Sequence, residues 1–289
     1  MLTDDRVVLL LTCPDQRGVV AAVADFVARH GGNILDADQH VDVVEGRRLF
    51  FQRVEVAGDG FDLAAGAVAG AFAPIADRFG MTVDVRATAR RVPMAILASR
   101  QAHCLADLLV RWSSGELAAD VRVVVANHPD HAALCAGFGV PFVHLPVADG
   151  AGGAARQEAA VLETLAAHDV ELVVMARYMR ILSPTAIARY PQRIINIHHS
   201  FLPAFAGASP YRQAHDRGVK LIGATAHYAT EELDEGPIID QDTVRVSHRD
   251  DVARLTRAGR DVEVTVLARA VRAHLEHRVL VHGRKTIVF

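Results

Sequence analysis

Near residue 90 the chain changes its rhythm, and that change limits its folds more than any other feature. Before it, apolar runs at 7–11, 34–44, 49–56 and 82–85 read as strands, and residues 19–27 and 63–79 carry apolar side chains at helical spacing. The order βαββαβ over about ninety residues is that of a ferredoxin-like half-sandwich. Pro14-Asp15-Gln16-Arg17-Gly18 breaks the first strand, His30-Gly31-Gly32 ends the first helix, and Glu45-Gly46-Arg47 turns between the second and third strands. Pro74 falls inside the second helix and is expected to kink or shorten it.

Beyond a short linker at 88–92, strands at 94–98, 121–126, 142–145 and 172–175 alternate with helices that begin at His103, Asp130 and Arg156. Such alternation implies an α/β, Rossmann-like domain with a mostly parallel sheet. A chain of 289 residues favours two domains, here 1–88 and 93–289. The loop 147–153 reads as a lid or as a plain surface loop.

A net charge of −3, without a basic block, gives no reason to expect nucleic acid or a membrane as partner. The acidic start Met1-Leu2-Thr3-Asp4-Asp5 is unlike a signal peptide, and no apolar stretch reaches the length of a span. Three cysteines, Cys13, Cys104 and Cys135, without metal-ligand spacing fit a reduced, cytoplasmic protein.

Residues 193–195 run straight into Asn196-Ile197-His198-His199-Ser200, and open α/β sheets hold ligands where strands end. Five residues alone fit a polar turn equally well. The stronger signal is their combination with residues 227–239, where Asp234 precedes a Gly-Pro bend into another strand. If the two strand ends are neighbours, Asn196, His198 and Asp234 supply an amide donor, an imidazole and a carboxylate, a set suited to attack on a carbonyl. His227 is expected to support the acidic loop. His128 and His131 read as surface residues, and His198 and His199, adjacent on an extended segment, make poor joint ligands for a metal. Cys104 is a weak candidate nucleophile, and Tyr211 and Arg212, after the flexible 206–209, read either as a closing segment or as surface packing. Gly137-Phe138-Gly139 precedes a strand instead of following one, so no dinucleotide fingerprint is read.

Residues 6–87, opening with CPDQRGVVAAVADFVARHGGNI, resemble the ACT family of small regulatory domains. The resemblance implies an amino-acid effector site at Asp15, Arg17, Gly18 and Asn33, and edge-to-edge pairing into a homodimer or homotetramer. Glycine and methionine, as products of one-carbon supply, are the first effectors to try. Residues 93–289 are similar to the formyltransferase family that uses 10-formyltetrahydrofolate. Asn196, His198 and Asp234-Glu235-Gly236-Pro237-Ile238-Ile239 match its signature, and Met179-Arg180-Ile181-Leu182 its pterin-binding segment. This implies a folate substrate bound by Met179, Arg180, Ile181, Leu182, His199, His227 and Gly236. It also implies catalysis by Asn196, His198 and Asp234, with neither cofactor nor metal.

Glycinamide-ribonucleotide formyltransferases resemble this domain but follow the first strand with a Gly/Ser-rich loop that holds a phosphate. Here that turn is Ser99-Arg100-Gln101-Ala102-His103-Cys104, without glycine, and His199 stands where those transferases commonly carry proline. Loss of the phosphate cradle argues for water as nucleophile. The domain order, with HCLADLL, IINIHHSFLPAF and the RAGRDVE segment at 257–263, resembles the family's hydrolytic branch. What this implies is cleavage of 10-formyltetrahydrofolate to tetrahydrofolate and formate. Transfer to a non-phosphorylated acceptor, and a folate-binding amino-acid sensor with a decayed centre, stay open as alternatives.

Overall fold

Strand β1 (Arg6–Pro14) is buried at five consecutive residues, Val7 to Leu11, as a strand covered on both faces must be. With α1 (Val19–Arg29), β2 (Ile34–Val44), β3 (Arg47–Ala57), α2 (Ala65–Phe79) and β4 (Thr82–Ala87) it builds a four-stranded sheet in the order β2-β3-β1-β4. All its neighbours are antiparallel. The side chains of a strand alternate between faces, so Val7, Leu9 and Leu11 meet Val23 and Phe26 of α1 and Val68 and Phe72 of α2. This is the expected βαββαβ unit. The computed structural model describes residues 6–150, 152–203 and 210–289.

Helix α2 runs through Pro74 without ending there. Pro74 and Gly70, whose carbonyl loses its helical partner to the proline, both lie on the exposed face, where water can take that carbonyl.

On the other face of the first sheet, Arg53 is held by Asp36 and Glu55 and donates to the main-chain carbonyls of His277 (3.1 Å) and Glu276 (3.3 Å). The His282 ring packs against Phe51 at 5.4 Å. Residues 276–282 and 287–289 accordingly group with residues up to 91 as one compact unit, and 92–275 with 283–286 as the other. The sequence reading runs the second domain to the C-terminus; a contact between residues 224 positions apart leaves no local pattern from which to expect this return.

The second unit contains β5 (Val92–Ala98), α3 (His103–Ser113), β6 (Ala119–Ala126), α4 (Ala132–Gly137), β7 (Phe142–His144), α5 (Gly153–Ala167) and β8 (Leu172–Ala176). It continues through α6 (Pro184–Arg189), β9 (Ile194–His198), α7 (Pro210–Asp216), β10 (Leu221–Tyr228), β11 (Ile238–Arg245) and α8 (Val252–Leu275). A last hairpin joins β12 (Val279–His282) to β13 (Lys285–Val288).

The sheet order is β11-β10-β9-β8-β5-β6-β7. Strands β7, β6, β5, β8 and β9 are parallel, and β10 and β11 add an antiparallel edge. The chain leaves β5 toward β6 and later returns on its other side as β8, so a crevice opens at the carboxyl ends of the strands around this switch. Strand β8 is buried at all five positions, the continuous apolar run of a central parallel strand. Ala151, within the loop read as a lid, and the whole of 206–209, read as flexible, lie outside the described residues. Among the described residues no helix is long and apolar enough to cross a membrane.

Candidate active site

Strand β9 ends at His198, and its alternation sets Asn196 and His198 on one face. Its antiparallel neighbour β10 sets His227 opposite Asn196 and Thr225 opposite His198. The turn after His198 is pinned by Thr225, whose Oγ1 donates to the Ser200 carbonyl (2.9 Å) and accepts from the Leu202 amide (3.0 Å). Asp234 comes from the loop between β10 and β11, in a left-handed conformation (φ 59°). Gly236 explains how that loop can lie so close: a Cβ there would collide with the Tyr228 carbonyl oxygen. Gly236 therefore shapes the bend and is absent from the cavity lining.

These strand ends enclose a cavity of about 300 Å³. Its wall includes Asn196, His198, His199, His227 and Asp234, together with the segment from Arg177 to Leu182 and the loop from Ala229 to Leu233. Met179, Ile181 and Leu233 are 58%, 72% and 59% exposed, an apolar rim that a flat ring system can cover. Arg177 and Met179, like Asp234, have positive φ (62° and 60°), so backbone strain is concentrated where the wall is built.

His198 Nδ1 lies 3.2 Å from Asp234 Oδ1, and His227 Nε2 lies 3.9 Å from the same oxygen. The hydrogen bond from His198 holds the Asp234 carboxyl below the usual carboxylate range, against the opposing effect of burial. Asp234 is thus an anion near neutral pH. His227 Nδ1 donates to the Tyr228 carbonyl (3.0 Å), which leaves Nε2 to accept from Asn196 Nδ2 at 3.2 Å. Burial lowers the His227 pKa and keeps the ring neutral for that role. The sequence reading expects His227 to hold the acidic loop; its hydrogen bonds go to the Tyr228 carbonyl and to Asn196, with Asp234 of that loop 3.9 Å away.

His199 follows the end of β9, so the alternation expected for an extended pair does not apply to it. Its ring lies 5.2 Å from that of His198, tilted by 47°, and both line the cavity. Burial, with the nearby Arg177 charge, pushes His199 down to about 4. His131 is buried and its Nε2 hydrogen-bonds the Ser99 carbonyl, which corrects the surface assignment.

A second polar group backs the cavity, and the sequence reading misses its centre. Glu263 of α8 is fully buried, with His103 Nε2 2.7 Å from Oε2, Tyr211 donating to Oε1, and Arg177 Nε 3.4 Å away. These contacts lower its pKa although burial acts in the opposite sense. Tyr211 is neither a flap nor surface packing: it is a buried donor, seated against Gly259, where a Cβ would collide with its hydroxyl. A glycine one turn before an acid inside a 24-residue helix is the available signal.

His103, Cys104 and Glu263 bring three donor atoms within 4.8 Å of one another, a cluster no sequence spacing reveals. Their electrostatics oppose a cation: Arg177 already faces the carboxylate, and burial raises the Cys104 thiol well above its ordinary value. The same burial removes Cys104 as a nucleophile.

In the first unit, Asp15 is paired with Arg48 Nε (2.9 Å), and Gly18 caps α1 with φ 90°. Arg17 lies beside them in sequence, whereas Asn33 follows the far end of α1. Eleven helical residues span about 16 Å, so the four residues read as an effector site are not brought together within one chain.

Residues 92–271 match the formyl transferase family and residues 7–78 the ACT domain. The chain is 49% identical to a formyltetrahydrofolate deformylase of Synechocystis over 97% of each chain. It is 46% identical to one of Bacillus subtilis over 99% of this chain and 94% of that one. A solved deformylase structure from Pseudomonas syringae pv. tomato superposes with a TM-score of 0.93 at 48% identity, covering 99% of this chain and 94% of that one.

Proposed function

The chain belongs to the formyltetrahydrofolate deformylase family, and from that premise we infer that its cavity hydrolyses 10-formyltetrahydrofolate to tetrahydrofolate and formate in folate one-carbon metabolism. The observation that carries the chemistry is the His198–Asp234 contact at 3.2 Å, on the cavity wall beside Asn196. The pterin lies against the segment from Met179 to Leu182, and the formyl group on N10 reaches the end of β9.

Asp234, ionised, takes a proton from water as the water oxygen bonds to the formyl carbon. The second N–H of Asn196 stabilises the oxyanion that forms, a donor of this kind being worth ~10² to 10³ in rate, while His198, its Nδ1–H on Asp234, holds the carboxylate at the reacting water. Asp234 then gives its proton to N10, the C–N10 bond breaks, and the nascent formic acid loses its remaining proton to leave as formate. His227 acts one step removed, as the acceptor that fixes the Asn196 amide. Incubating the pure protein with 10-formyltetrahydrofolate and no acceptor should yield formate and tetrahydrofolate in equal amounts. Tetrahydrofolate released only after an acceptor is added, with the formyl group found on that acceptor and no free formate, would establish a transferase instead.

The ACT unit binds a small-molecule effector, for which glycine and methionine are the first candidates. Assembly into a homodimer or homotetramer is supported by the outer edge strand β2, where Leu35 and Val43 are 49% and 62% exposed. Coupling between sites is reciprocal for binding free energies. Each amino acid should therefore shift folate affinity by the factor by which folate shifts its own. Absence of both shifts removes this regulation.

A further inference from the structure

Hydrolysis leaves a small anion in the cavity, and the cavity wall holds a buried cation that the mechanism does not use. Arg177 is 9% exposed and lines the same cavity as Asn196 and His198. Its guanidinium makes no hydrogen bond to the described residues: Nε stands 3.4 Å from Glu263 Oε2 as an ion pair, and both Nε and Nη1 are buried without a hydrogen-bond partner. Guanidinium presents five N–H donors in a planar fork that matches a carboxylate. Buried donors left unmade are costly, and such a group in a folded protein calls for a reason.

Glu263 meets the guanidinium as a charge and not as a hydrogen-bond acceptor. Its Oε2 meets His103 and its Oε1 Tyr211, and at 3.4 Å it holds the guanidinium by charge without making a hydrogen bond to it. The left-handed backbone at Arg177 (φ 62°) is a strained conformation for a long side chain, and it turns the residue at the end of β8, beside the end of β9 where the C–N bond is cut. Arg180, the other cation of the wall, is less buried. We propose that Arg177 is the carboxylate subsite of the cavity, receiving the formate released at Asn196, His198 and Asp234. This rests on the hydrolytic reading. The subsite pulls the anion away from the reaction centre, and it gives formate and other planar anions a specific hold on the protein.

Equilibrium binding of labelled formate to the full chain, with tetrahydrofolate present, tests it. The wild type should bind formate saturably; nitrate, a planar anion, should displace it, and uncharged formamide of nearly the same shape should not. Arg177→Gln should weaken formate binding at least tenfold, and Arg177→Lys, which keeps the charge without the fork, should fall between. Competition in the wild type decides the matter even if the variants fail to fold. Undiminished binding in Arg177→Gln, formamide competing as well as nitrate, or no formate binding by the wild type would each overturn the subsite. Wild-type protein that produces no formate from 10-formyltetrahydrofolate without an acceptor would instead sink the hydrolytic reading itself.

Discussion

The two sheets use polar residues in opposite ways. In the four-stranded sheet every neighbour is antiparallel, and charged groups such as Arg53, Asp36 and Glu55 pair with one another and with main-chain carbonyls. Residues at the two ends of α1 stay apart. In the seven-stranded sheet five parallel strands deliver their carboxyl ends to one side, and the next antiparallel strand returns past the same end. Asn196 and His227 meet there from strands that set them 31 positions apart, and the loop directly after the second strand adds Asp234. Convergence of chemical groups thus follows from parallel strands that end on one side and an antiparallel neighbour that returns past them, and not from how many polar residues a unit contains.

That contrast is broken most directly at Asp234. Asp234→Asn keeps the shape of the side chain but cannot cycle a proton. Turnover should fall ~10² to 10⁴-fold while tetrahydrofolate affinity stays within several-fold. Near-normal turnover would take Asp234 out of the chemistry.

One substitution in each unit separates the two uses of buried charge. Glu263→Leu strands Arg177 and His103 beside an apolar group in the second unit, a change that should cost about 3–5 kcal/mol, because an uncompensated buried charge remains. Arg53→Met in the first unit frees two carbonyls and two carboxylates, of which Asp36 is largely exposed, and should cost less, about 2 kcal/mol. Hydrogen exchange assigns each loss: amides of β5 and β8 should open in the first variant, and those of β1 and β3 in the second. The reverse pattern would contradict the packing described.

What is legible in the sequence follows the same divide between local and distant causes. The strand ending at His198 and the Gly-Pro bend after Asp234 are local events, so Asn196, His198 and Asp234 stand out from the amino-acid order alone. Arg177 and Glu263 do not, because their partners are remote: His103 and Glu263 are 160 positions apart, and pairing across a fold has no period. His131 reads wrongly as a surface residue for the same reason, its acceptor being the Ser99 carbonyl on a different element. The end of β2 is readable because a Gly turn closes it, whereas the return of residues 276–282 to the first sheet rests on contacts remote in sequence, Arg53 with two carbonyls and Phe51 with His282.

The smallest effect is one of pH, and it touches both units. Burial pushes His199 in the second unit and His277 in the first down to about 4 from 6.5. Between those values the unfolded chain holds the proton and the folded chain does not. Each histidine's contribution is therefore complete above pH 6.5 and lost progressively as pH falls toward 4. Asp234, whose pKa is lowered, adds stability that is present above the ordinary carboxylate value and is lost only at still lower pH. Denaturant midpoints should drop between pH about 7 and about 5, and His199→Gln should flatten the slope for the second unit only. A slope unchanged by that substitution would place the acid sensitivity elsewhere.

In the proposed reaction water, activated at Asp234 beside His198 and Asn196, is the acceptor of the formyl group. The most direct test is a single turnover of 10-formyltetrahydrofolate in water enriched in the heavy oxygen isotope, with formate analysed by mass spectrometry. Every formate should carry one solvent oxygen, tetrahydrofolate should appear in equal amount, and both products should be lost in Asp234→Asn. Formate without solvent oxygen, or labelled formate made at the wild-type rate by Asp234→Asn, would contradict it.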